Sequence, residues 1–315
     1  MQYTNLGKTG IKVSRLCFGT LTLGPLQANF SAEKGADLIC KAVDLGVNFL
    51  DTAEFYQNYP HICLAIKKSG RDLVVATKSY AYTYQGMRES VEKARKALDR
   101  DVIDIFMLHE QESRLTLKGH REALEYLIDA KEKGIIRATG VSTHTVEVVL
   151  AAAGMDEIDV IHPIVNYKGI GIKDGTVNDM IEAIKKAYEN GKGIYGMKCL
   201  GGGNLVGVKK EAFKFILGLP YLHSVAVGMK SEHEIVANIL TFEGKDVPEE
   251  LERLISSEKR RLLIEDWCEG CGRCVEKCGF NALSLEEGRA VVNSERCTLC
   301  GYCGGVCPEF CIKIV

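Results

Sequence analysis

Eight of the thirteen cysteines lie in two runs of identical spacing near the carboxyl end of the sequence. Each run has the form C-x₂-C-x₂-C-x₃-C, in which three closely spaced cysteines can cover one face of a cubane iron–sulfur cluster. We expect the thiols to be reduced, because the chain shows no secretion signal, and clustered reduced cysteines are typical metal ligands. The runs are Cys268, Cys271, Cys274 and Cys278, and then Cys297, Cys300, Cys303 and Cys307.

The two runs predict two [4Fe–4S] clusters with crossed ligation. They resemble bacterial-type ferredoxin domains, in which the fourth cysteine of each run ligates the other cluster. That resemblance assigns Cys307 to the cluster of the first run and Cys278 to the cluster of the second. Residues 280–285 and 310–315 also repeat one another as a turn into a strand. Zinc, which also takes four thiolates, is the alternative, but a zinc site does not need a doubled four-cysteine run.

A second set of reactive side chains lies at or just beyond the carboxyl ends of predicted strands: Asp51, Tyr56, Lys78 and His109. A free tyrosine has a pKa of about 10, and a nearby ammonium such as Lys78 is expected to lower it. Asp51 would keep Lys78 charged, and His109 can donate to an oxygen on which negative charge develops. The alternative is purely structural: an ion pair, a core histidine and an aromatic at the rim.

Eight strand-like segments, each followed by a helix-like segment, must position these residues. This is the count of a (β/α)₈ TIM barrel, whose active sites lie at the carboxyl ends of the strands. An open doubly wound sheet is the rival, but residues 19–24 lack the G-x-G-x-x-G spacing. The predicted strands are 15–18, 48–51, 73–78, 103–109, 136–141, 160–165, 193–198 and 225–228. The predicted helices are 31–45, 60–68, 87–98, 120–133, 146–153, 177–190, 209–217 and 231–240.

The first 240 residues resemble the aldo-keto reductases. Besides the four reactive residues in family order, the resemblance includes the segments Gly-Ile-Lys-Val-Ser at 10–14, Phe-Gly-Thr at 18–20 and Arg-Ala-Thr-Gly-Val-Ser at 137–142. It implies a catalytic tetrad in which Tyr56 protonates a carbonyl oxygen while a hydride reaches the carbon. It also implies a nicotinamide dinucleotide, NAD(P)H, bound in extended form without a Rossmann unit.

The same resemblance indicates which residues contact the nucleotide. Glycines in the loop after the seventh strand would let backbone amides approach a pyrophosphate. His162 and Met197 stand where the family often has glutamine and an aromatic residue. Glu234 stands where members that prefer a 2′-phosphate often carry arginine, so NADH is expected to serve at least as well as NADPH. The expected contacts are Thr20, Ser142, Thr143, His162, Met197, Lys198, Gly201, Gly202, Gly203, Gly228, Glu234 and Asn238.

Composition narrows the choice of partners. The 40 basic and 42 acidic residues are well mixed and give a net charge of −2, which disfavours a nucleic-acid partner. The first residues lack the pattern of a signal peptide, and no apolar run reaches the ~20 residues of a membrane span. We therefore expect a cytoplasmic protein without a membrane partner. The expected domains are a barrel at 1–242, a linker or packing helix at 243–261 and an α+β ferredoxin-like domain at 262–315.

These patterns predict an oxidoreductase that interconverts a carbonyl and an alcohol on a small molecule, with an appended electron-transfer module. A nicotinamide gives two electrons as hydride, whereas each cluster passes one, and no flavin signature is visible to divide the pair. One alternative is therefore a one-electron reductase fed by the clusters without hydride transfer. A non-catalytic electron carrier or docking protein is another. A ferredoxin or a flavoprotein is the candidate redox partner.

Overall fold

The computed structural model describes residues 1–315, and its main body is a closed barrel of eight parallel strands. The first two strands form an antiparallel hairpin outside the barrel. The eighth barrel strand pairs with the first and closes the ring, so the expected (β/α)₈ architecture is confirmed. The strands are β1 (Tyr3–Asn5) and β2 (Lys12–Ser14) in the hairpin, then β3 (Leu16–Gly19), β4 (Phe49–Asp51), β5 (Val74–Ser79), β6 (Ile103–Gln111), β7 (Ile136–Thr143), β8 (Val160–Pro163), β9 (Gly193–Gly196) and β10 (Ser224–Gly228) in the barrel.

Helices cover the outside of the barrel. Several begin at a serine or threonine whose side chain accepts a hydrogen bond from a backbone amide of the first turn, which is the usual way to satisfy a helix start. No helix combines the length and apolar character needed to cross a membrane. The helices are α1 (Ala32–Asp44), α2 (Tyr59–Ser69), α3 (Tyr84–Leu98), α4 (Arg114–Gly119), α5 (Arg121–Glu132), α6 (Val146–Ala153), α7 (Val177–Glu189), α8 (Lys209–Leu217), α9 (Glu232–Phe242) and α10 (Glu249–Ser257).

The apolar core has two layers. One fills the space between the strands and the helices. The other fills the barrel interior, where Phe49 and Tyr195 pack with Leu6 and Ile11 of the β1–β2 hairpin. The hairpin lies against the start of β9, since the amide of Lys8 donates to the carbonyl of Gly191 at 3.1 Å. The amino-terminal end of the barrel is therefore plugged, and only the carboxyl end, here called the mouth, is left for chemistry.

Two strands end earlier than expected at the mouth. β8 stops at Pro163 and β9 at Gly196, two residues before the predicted ends at 165 and 198. Lys198 adopts a left-handed backbone with φ of 59°, which no strand residue takes. β6 runs longer than predicted and contains a bulge between Leu108 and Gln111. Because bulges re-aim side chains, this one changes the direction of the chain where His109 leaves the barrel.

Residues 262–315, called the cysteine domain below, form a small α+β unit after α10. Two antiparallel strand pairs and two short helices build it. The third cysteine of each run lies on a helix, Cys274 on the first and Cys303 on the second. The elements are β11 (Leu262–Ile264), α11 (Arg273–Lys277), β12 (Leu283–Glu286), β13 (Arg289–Val292), α12 (Tyr302–Gly305) and β14 (Ile312–Ile314).

The cysteine domain docks on the barrel mouth. Phe310 belongs to the same apolar cluster as the barrel's outer core, and the side-chain amide of Asn204 donates to the carbonyl of Ile312 at 2.9 Å. At Gly203, with φ of +88°, a Cβ atom would lie 2.0 Å from the carbonyl oxygen of Ile314. Only glycine allows the two backbones to come this close.

Candidate active site

Asp51 and Lys78 form a buried ion pair at the mouth. The Lys78 ammonium lies 2.8 Å from Oδ1 and 3.0 Å from Oδ2 of Asp51, and it also donates to the carbonyl of Thr52 at 2.7 Å. Burial alone would raise the pKa of Asp51, but the charge and hydrogen bonds of Lys78 outweigh it and lower that pKa. Adjacent parallel strands β4 and β5 carry the two side chains, which explains why residues so far apart in sequence meet.

Tyr56 sits on a one-turn helix that follows β4. Asn58 anchors this turn: its amide donates to the carbonyl of Thr20 at 2.7 Å, and its oxygen accepts from Thr52 at 2.6 Å. Gln57 has φ of 53°, the left-handed region that glycine adopts without strain. The Lys78 ammonium lies 5.0 Å from the centroid of the Tyr56 ring.

The pKa of Tyr56 departs from the expectation. Burial raises it well above the usual value of a tyrosine, and the negative charges of Asp51 and Glu110 raise it further. The net direction is therefore opposite to the expected one, because burial and the two carboxylates outweigh the Lys78 ammonium, whose hydrogen bonds go to Asp51 and to the carbonyl of Thr52. Tyr56 therefore holds its proton at neutral pH and is available as an acid.

His109 faces Tyr56 from β6. Their rings lie 5.9 Å apart in an edge-to-face arrangement, and Tyr80 stacks on the other side of the imidazole at 4.2 Å. Burial lowers the pKa of His109 to about 3, so the ring is neutral at pH 7. Nδ1 of His109 is buried without a hydrogen-bond partner. The structure thus brings all four expected catalytic residues together, with a neutral imidazole beside a protonated phenol.

Two further residues of the site face the barrel interior. The Tyr195 hydroxyl donates to Oδ1 of Asp51 at 2.9 Å, and the ring of His162 stacks on Tyr195 at 3.8 Å. Nδ1 of His162 lies 2.6 Å from the carbonyl of Tyr195, and Nε2 lies 3.6 Å from Asp51. Sequence reasoning missed Tyr195, although it stands two residues before Met197 and therefore on the same face of its strand.

A cavity of about 1450 Å³ opens at the mouth. Asp51 and Tyr56 lie in its wall, together with residues of α9 and α10. The volume exceeds the usual range of about 300–1,000 Å³ for a pocket that holds a small ligand, so it suits a larger ligand better than a small substrate alone. Of the expected nucleotide contacts, eight line this cavity: His162, Met197, Lys198, Gly202, Gly203, Gly228, Glu234 and Asn238.

The other four expected nucleotide contacts do not line the cavity. The Thr20 hydroxyl donates to the carbonyl of Asp51 at 2.8 Å. The Ser142 hydroxyl accepts from the amide of Glu110 at 2.8 Å, and the Thr143 hydroxyl donates to the carbonyl of Gln111 at 2.6 Å. Gly201 is buried, and a Cβ atom there would meet Ile170 and Leu205. The hydroxyls of Thr20, Ser142 and Thr143 thus bond to backbone groups within the barrel. Contact of these four residues with a nucleotide stays a prediction.

The glycine loop after β9 serves a second purpose. Gly202 and Gly203 line the cavity, but a Cβ atom on Gly202 would meet Lys313 at 2.8 Å and Phe310 at 3.0 Å. The close approach that these glycines permit is thus to the cysteine domain. The sequence indicated a loop that a phosphate could approach; the structure adds a docking surface on the same residues.

Glu234 is not a free negative charge. Its carboxylate lies 2.7 Å from the guanidinium of Arg260 and also accepts from the amide of Lys230 at 2.8 Å. Ser231 accepts from the amide of Glu234 at 3.1 Å, so only one half of a capping box is formed at the start of α9. The repulsion of a 2′-phosphate that the sequence suggested is therefore largely neutralised by Arg260.

The cysteine domain brings the fourth cysteine of the second run to the first run. Cys268, Cys271 and Cys274 surround one small cavity with Cys307 and Cys311. A hydrogen bond from the Cys311 thiol lowers the pKa of Cys307 and favours its thiolate, the form that binds metal. No group of three or more side chains converges as a single metal ion would require. This donor set fits clusters ligated through spaced thiolates, with the crossed pairing assigned from sequence.

Comparison with known proteins places the chain in a family. The model described as "Aldo/keto reductase family" matches residues 15–216, and the model described as "4Fe-4S dicluster domain" matches residues 261–308. The chain belongs to the aldo/keto reductase family and carries a 4Fe–4S dicluster domain after its barrel.

Curated relatives match the barrel only in part. A probable voltage-gated potassium channel subunit beta from Arabidopsis thaliana is 31% identical over 181 residues, 52% of this chain and 54% of that protein. Aldo-keto reductase YhdN from Bacillus subtilis is 31% identical over 163 residues, 47% of this chain and 48% of that protein. The chain thus spans about half the length of these relatives.

Solved structures support the fold. Aldo-keto reductase AKR11C1 from Bacillus halodurans superimposes with a TM-score of 0.63 at 20% identity, covering 81% of this chain and 95% of that one. An aldo-keto reductase from Pseudomonas aeruginosa gives a TM-score of 0.66 at 24% identity, covering 77% of this chain and 94% of that one. These neighbours share the barrel.

Proposed function

We propose that the protein is an NAD(P)-linked oxidoreductase that interconverts a carbonyl and an alcohol on a small molecule, and that its cysteine domain holds two [4Fe–4S] clusters that pass electrons. The observation that carries the proposal is that Asp51 and Tyr56 lie in the wall of a cavity of about 1450 Å³, with Lys78 paired to Asp51 and His109 beside Tyr56. When bound, the nicotinamide supplies a hydride and the clusters supply single electrons.

The chain's own residues then have distinct tasks. His109, neutral because it is buried, donates a hydrogen bond to the carbonyl oxygen on which negative charge develops. Tyr56 gives its proton to the same oxygen and leaves a hydroxyl group on the product. The phenolate that this transfer creates is stabilised by the nearby Lys78 ammonium, which Asp51 holds in place. Met197 and His162 border the reacting end of the cavity.

Replacing the proton donor tests this proposal. Tyr56→Phe removes the hydroxyl but little volume, so we expect carbonyl reduction to fall by about 10²–10⁴-fold, the usual contribution of a general acid. Nucleotide binding should be unchanged. The measurement is anaerobic turnover on a panel of carbonyl compounds with NADH and NADPH, beside a fluorescence titration of nucleotide. Tyr82→Phe, at an exposed tyrosine outside the cavity, is the control. Unchanged turnover in Tyr56→Phe would refute the assignment.

One observation favours a second candidate, a one-electron reductase fed by the clusters. Ile314 and Val315 lie in the wall of the cavity, so the cysteine domain borders the candidate site directly. Reduction of a carbonyl or other acceptor by a reduced ferredoxin without added nucleotide would support this candidate. Reduction that requires NADH or NADPH would favour hydride transfer.

A further inference from the structure

The two repeats of the cysteine domain can be aligned residue by residue from their backbones. In each repeat the residue three positions after the fourth cysteine is left-handed, with φ of 48° at Asn281 and 49° at Phe310. The amides of both residues donate to the carbonyl of that cysteine, at 3.1 Å for Asn281 and 3.3 Å for Phe310. The position that follows is therefore equivalent in the two repeats. It holds Ala282 in the first repeat and Cys311 in the second.

The additional thiol of Cys311 lies against the ligands of one cluster, here called the first cluster. Its expected ligands are Cys268, Cys271, Cys274 and Cys307, and Cys311 lines the same small cavity. Cys311 is 2% exposed, and its Sγ lies 3.3 Å from Sγ of Cys307. Because a ligating thiolate carries no proton, Cys311 is the donor of this hydrogen bond. At the second cluster, Ala282 offers Cys278 a backbone amide, at 3.3 Å from Sγ, but no side-chain donor.

A second difference between the repeats lies two residues further along, at Lys313. This lysine is 5% exposed, and its ammonium lies 3.0 Å from the centroid of the Phe310 ring. The ammonium donates to the carbonyl of Phe310 and forms no ion pair with a carboxylate. The equivalent residue of the first repeat, Ser284, is exposed and donates to Glu286 at 3.2 Å. Burial of an unpaired cation is costly unless negative charge lies nearby, and the thiolates of the first cluster supply such charge.

We propose that the Cys311 thiol and the Lys313 ammonium raise the reduction potential of the first cluster above that of the second, so that an electron entering the cysteine domain resides on the first cluster. This inference rests on the proposed function, which places two clusters in the domain. Reduction adds one negative charge, which a hydrogen bond to a ligand sulfur and a nearby cation both stabilise. Exposure does not separate the clusters, because the second cysteine of each run, Cys271 and Cys300, is exposed. Transfer between them is a one-electron step in which the second cluster is oxidised and the first is reduced.

A redox titration of the anaerobic holoprotein, followed by electron paramagnetic resonance, measures both potentials without any turnover. The wild-type protein should show two separate one-electron steps. Cys311→Ala should shift the reduction equilibrium of the more positive step about tenfold toward the oxidised form, which is about 59 mV for one electron. The other step should not move. Cys311→Ser keeps a donor at this position and should retain most of the wild-type potential.

Cys40→Ala is the matched control for loss of a thiol. Cys40 is partly buried and its thiol donates to the carbonyl of Ala65 at 3.6 Å, on the outside of the barrel. Both potentials should stay at their wild-type values in this variant. A single potential shared by both clusters of the wild-type protein would overturn the proposal, and so would an unchanged positive step in Cys311→Ala.

Two further variants test the proposal even if Cys311→Ala fails to fold. Lys313→Met keeps an apolar side chain over Phe310 but removes the charge, so it should lower the same positive step. Ala282→Cys supplies the missing thiol at the second cluster, so it should raise the more negative step and narrow the gap between the two. The opposite shift in either variant, or no shift in both, would contradict the proposal.

Metal analysis of each variant separates tuning of a cluster from ligation. About eight irons per chain should remain in Cys311→Ala. A fall to about four would overturn the proposal, because Cys311 would then be needed to hold a cluster. Failure of the proposed function has a different signature: the potentials would shift as described while no carbonyl compound is reduced with NADH or NADPH. A wild-type protein with fewer than two clusters would overturn both.

Discussion

The carboxylate of Asp51 is shared by partners from three barrel strands: Lys78 on β5, His162 on β8 and Tyr195 on β9. Because the carboxylate is buried, each contact compensates part of the cost of removing a charge from water. The Tyr195 hydroxyl approaches from inside the barrel and fixes the side of Asp51 away from the cavity. The position of Lys78, and through it the environment of Tyr56, thus depends on a residue that does not line the cavity.

The variant Tyr195→Phe tests this positioning. It removes the hydrogen bond that the Tyr195 hydroxyl donates to the charged carboxylate of Asp51, so we expect a loss of about 2 kcal/mol in the free energy of unfolding. Turnover should fall by about tenfold, since the ion pair loses its alignment. Tyr59→Phe is the matched control, because Tyr59 is equally buried but bonds Thr77 at 2.8 Å. It should lose stability without losing turnover. Guanidinium unfolding and anaerobic kinetics measure the two quantities, and equal turnover losses in both variants would contradict the role.

Residue types and strand ends were sufficient to predict Asp51, Lys78 and His109, because parallel strands bring their carboxyl ends to one mouth. They did not predict that the hydroxyls of Thr20, Ser142 and Thr143 bond to backbone groups within the barrel. Whether a hydroxyl at a strand end points into the cavity or back into the barrel depends on long-range geometry, which spacing alone does not reveal.

At the scale of elements, the loop after β9 connects the two parts of the molecule. Gly203→Ala would place a methyl group 2.0 Å from the carbonyl oxygen of Ile314 and would force an alanine to φ of +88°. We expect docking of the cysteine domain to weaken by about 2 kcal/mol or more. The measurement is limited proteolysis at residues 258–261, between α10 and β11. Gly203→Ala should be cleaved faster there than the wild-type protein. Gly207→Ala, four residues on and in open space, should cleave at the wild-type rate. Protection of Gly203→Ala equal to the wild type would contradict this contact.

The barrel elements were predictable from their apolar, β-branched strands, but several details were not. The β1–β2 hairpin has strands of three residues, too short to show an alternating pattern. α4 is also short, with six residues. Residues 258–261 are highly charged, and the sequence alone predicts an exposed segment there. They lie in the cavity wall only because the cysteine domain returns to the mouth.

At the scale of the whole molecule, three buried histidines make stability depend on pH. Burial lowers the pKa of His109 and His144 to about 3 and that of His162 to about 4, whereas an unfolded histidine titrates near 6.5. Below that pH the three imidazoles bind protons in the unfolded chain but stay neutral in the folded protein. Stability is therefore fully present above pH 6.5 and is lost as the pH falls toward 4.

Near pH 5 the free energy of unfolding should change by about 4 kcal/mol per pH unit, because unfolding takes up about three protons, each worth about 1.36 kcal/mol per unit. Guanidinium unfolding of the anaerobic protein between pH 7 and 5 measures it. His144→Gln should remove about one third of the slope. His233→Gln, at a half-exposed ring, is the control and should leave it intact. A free energy of unfolding independent of pH in this range would show that these imidazoles are protonated in the folded protein.

Metal content is the second property of the whole molecule. The eight cysteines of the two runs predict about eight irons and as many sulfides per chain. Cys300→Ala removes one ligand of the second cluster, so the content should fall toward about four irons. Cys63→Ala, on α2, should retain all of them. Elemental analysis of anaerobically purified protein would contradict the assignment if it found zinc or a single cluster in the wild type.

The pairing of β11 with β14 has a further consequence for cluster assembly. The two ends of the cysteine domain lie side by side, joined by the Arg261–Val315 hydrogen bonds and the ladder beyond them. If a cluster is lost while this ladder stays docked, residues 265–311 become a closed loop and not a free tail. A closed loop has fewer conformations than a free tail of the same length, because its two ends are already held together. We therefore expect a lost cluster to be rebuilt faster while the β11–β14 ladder is paired than after it has opened.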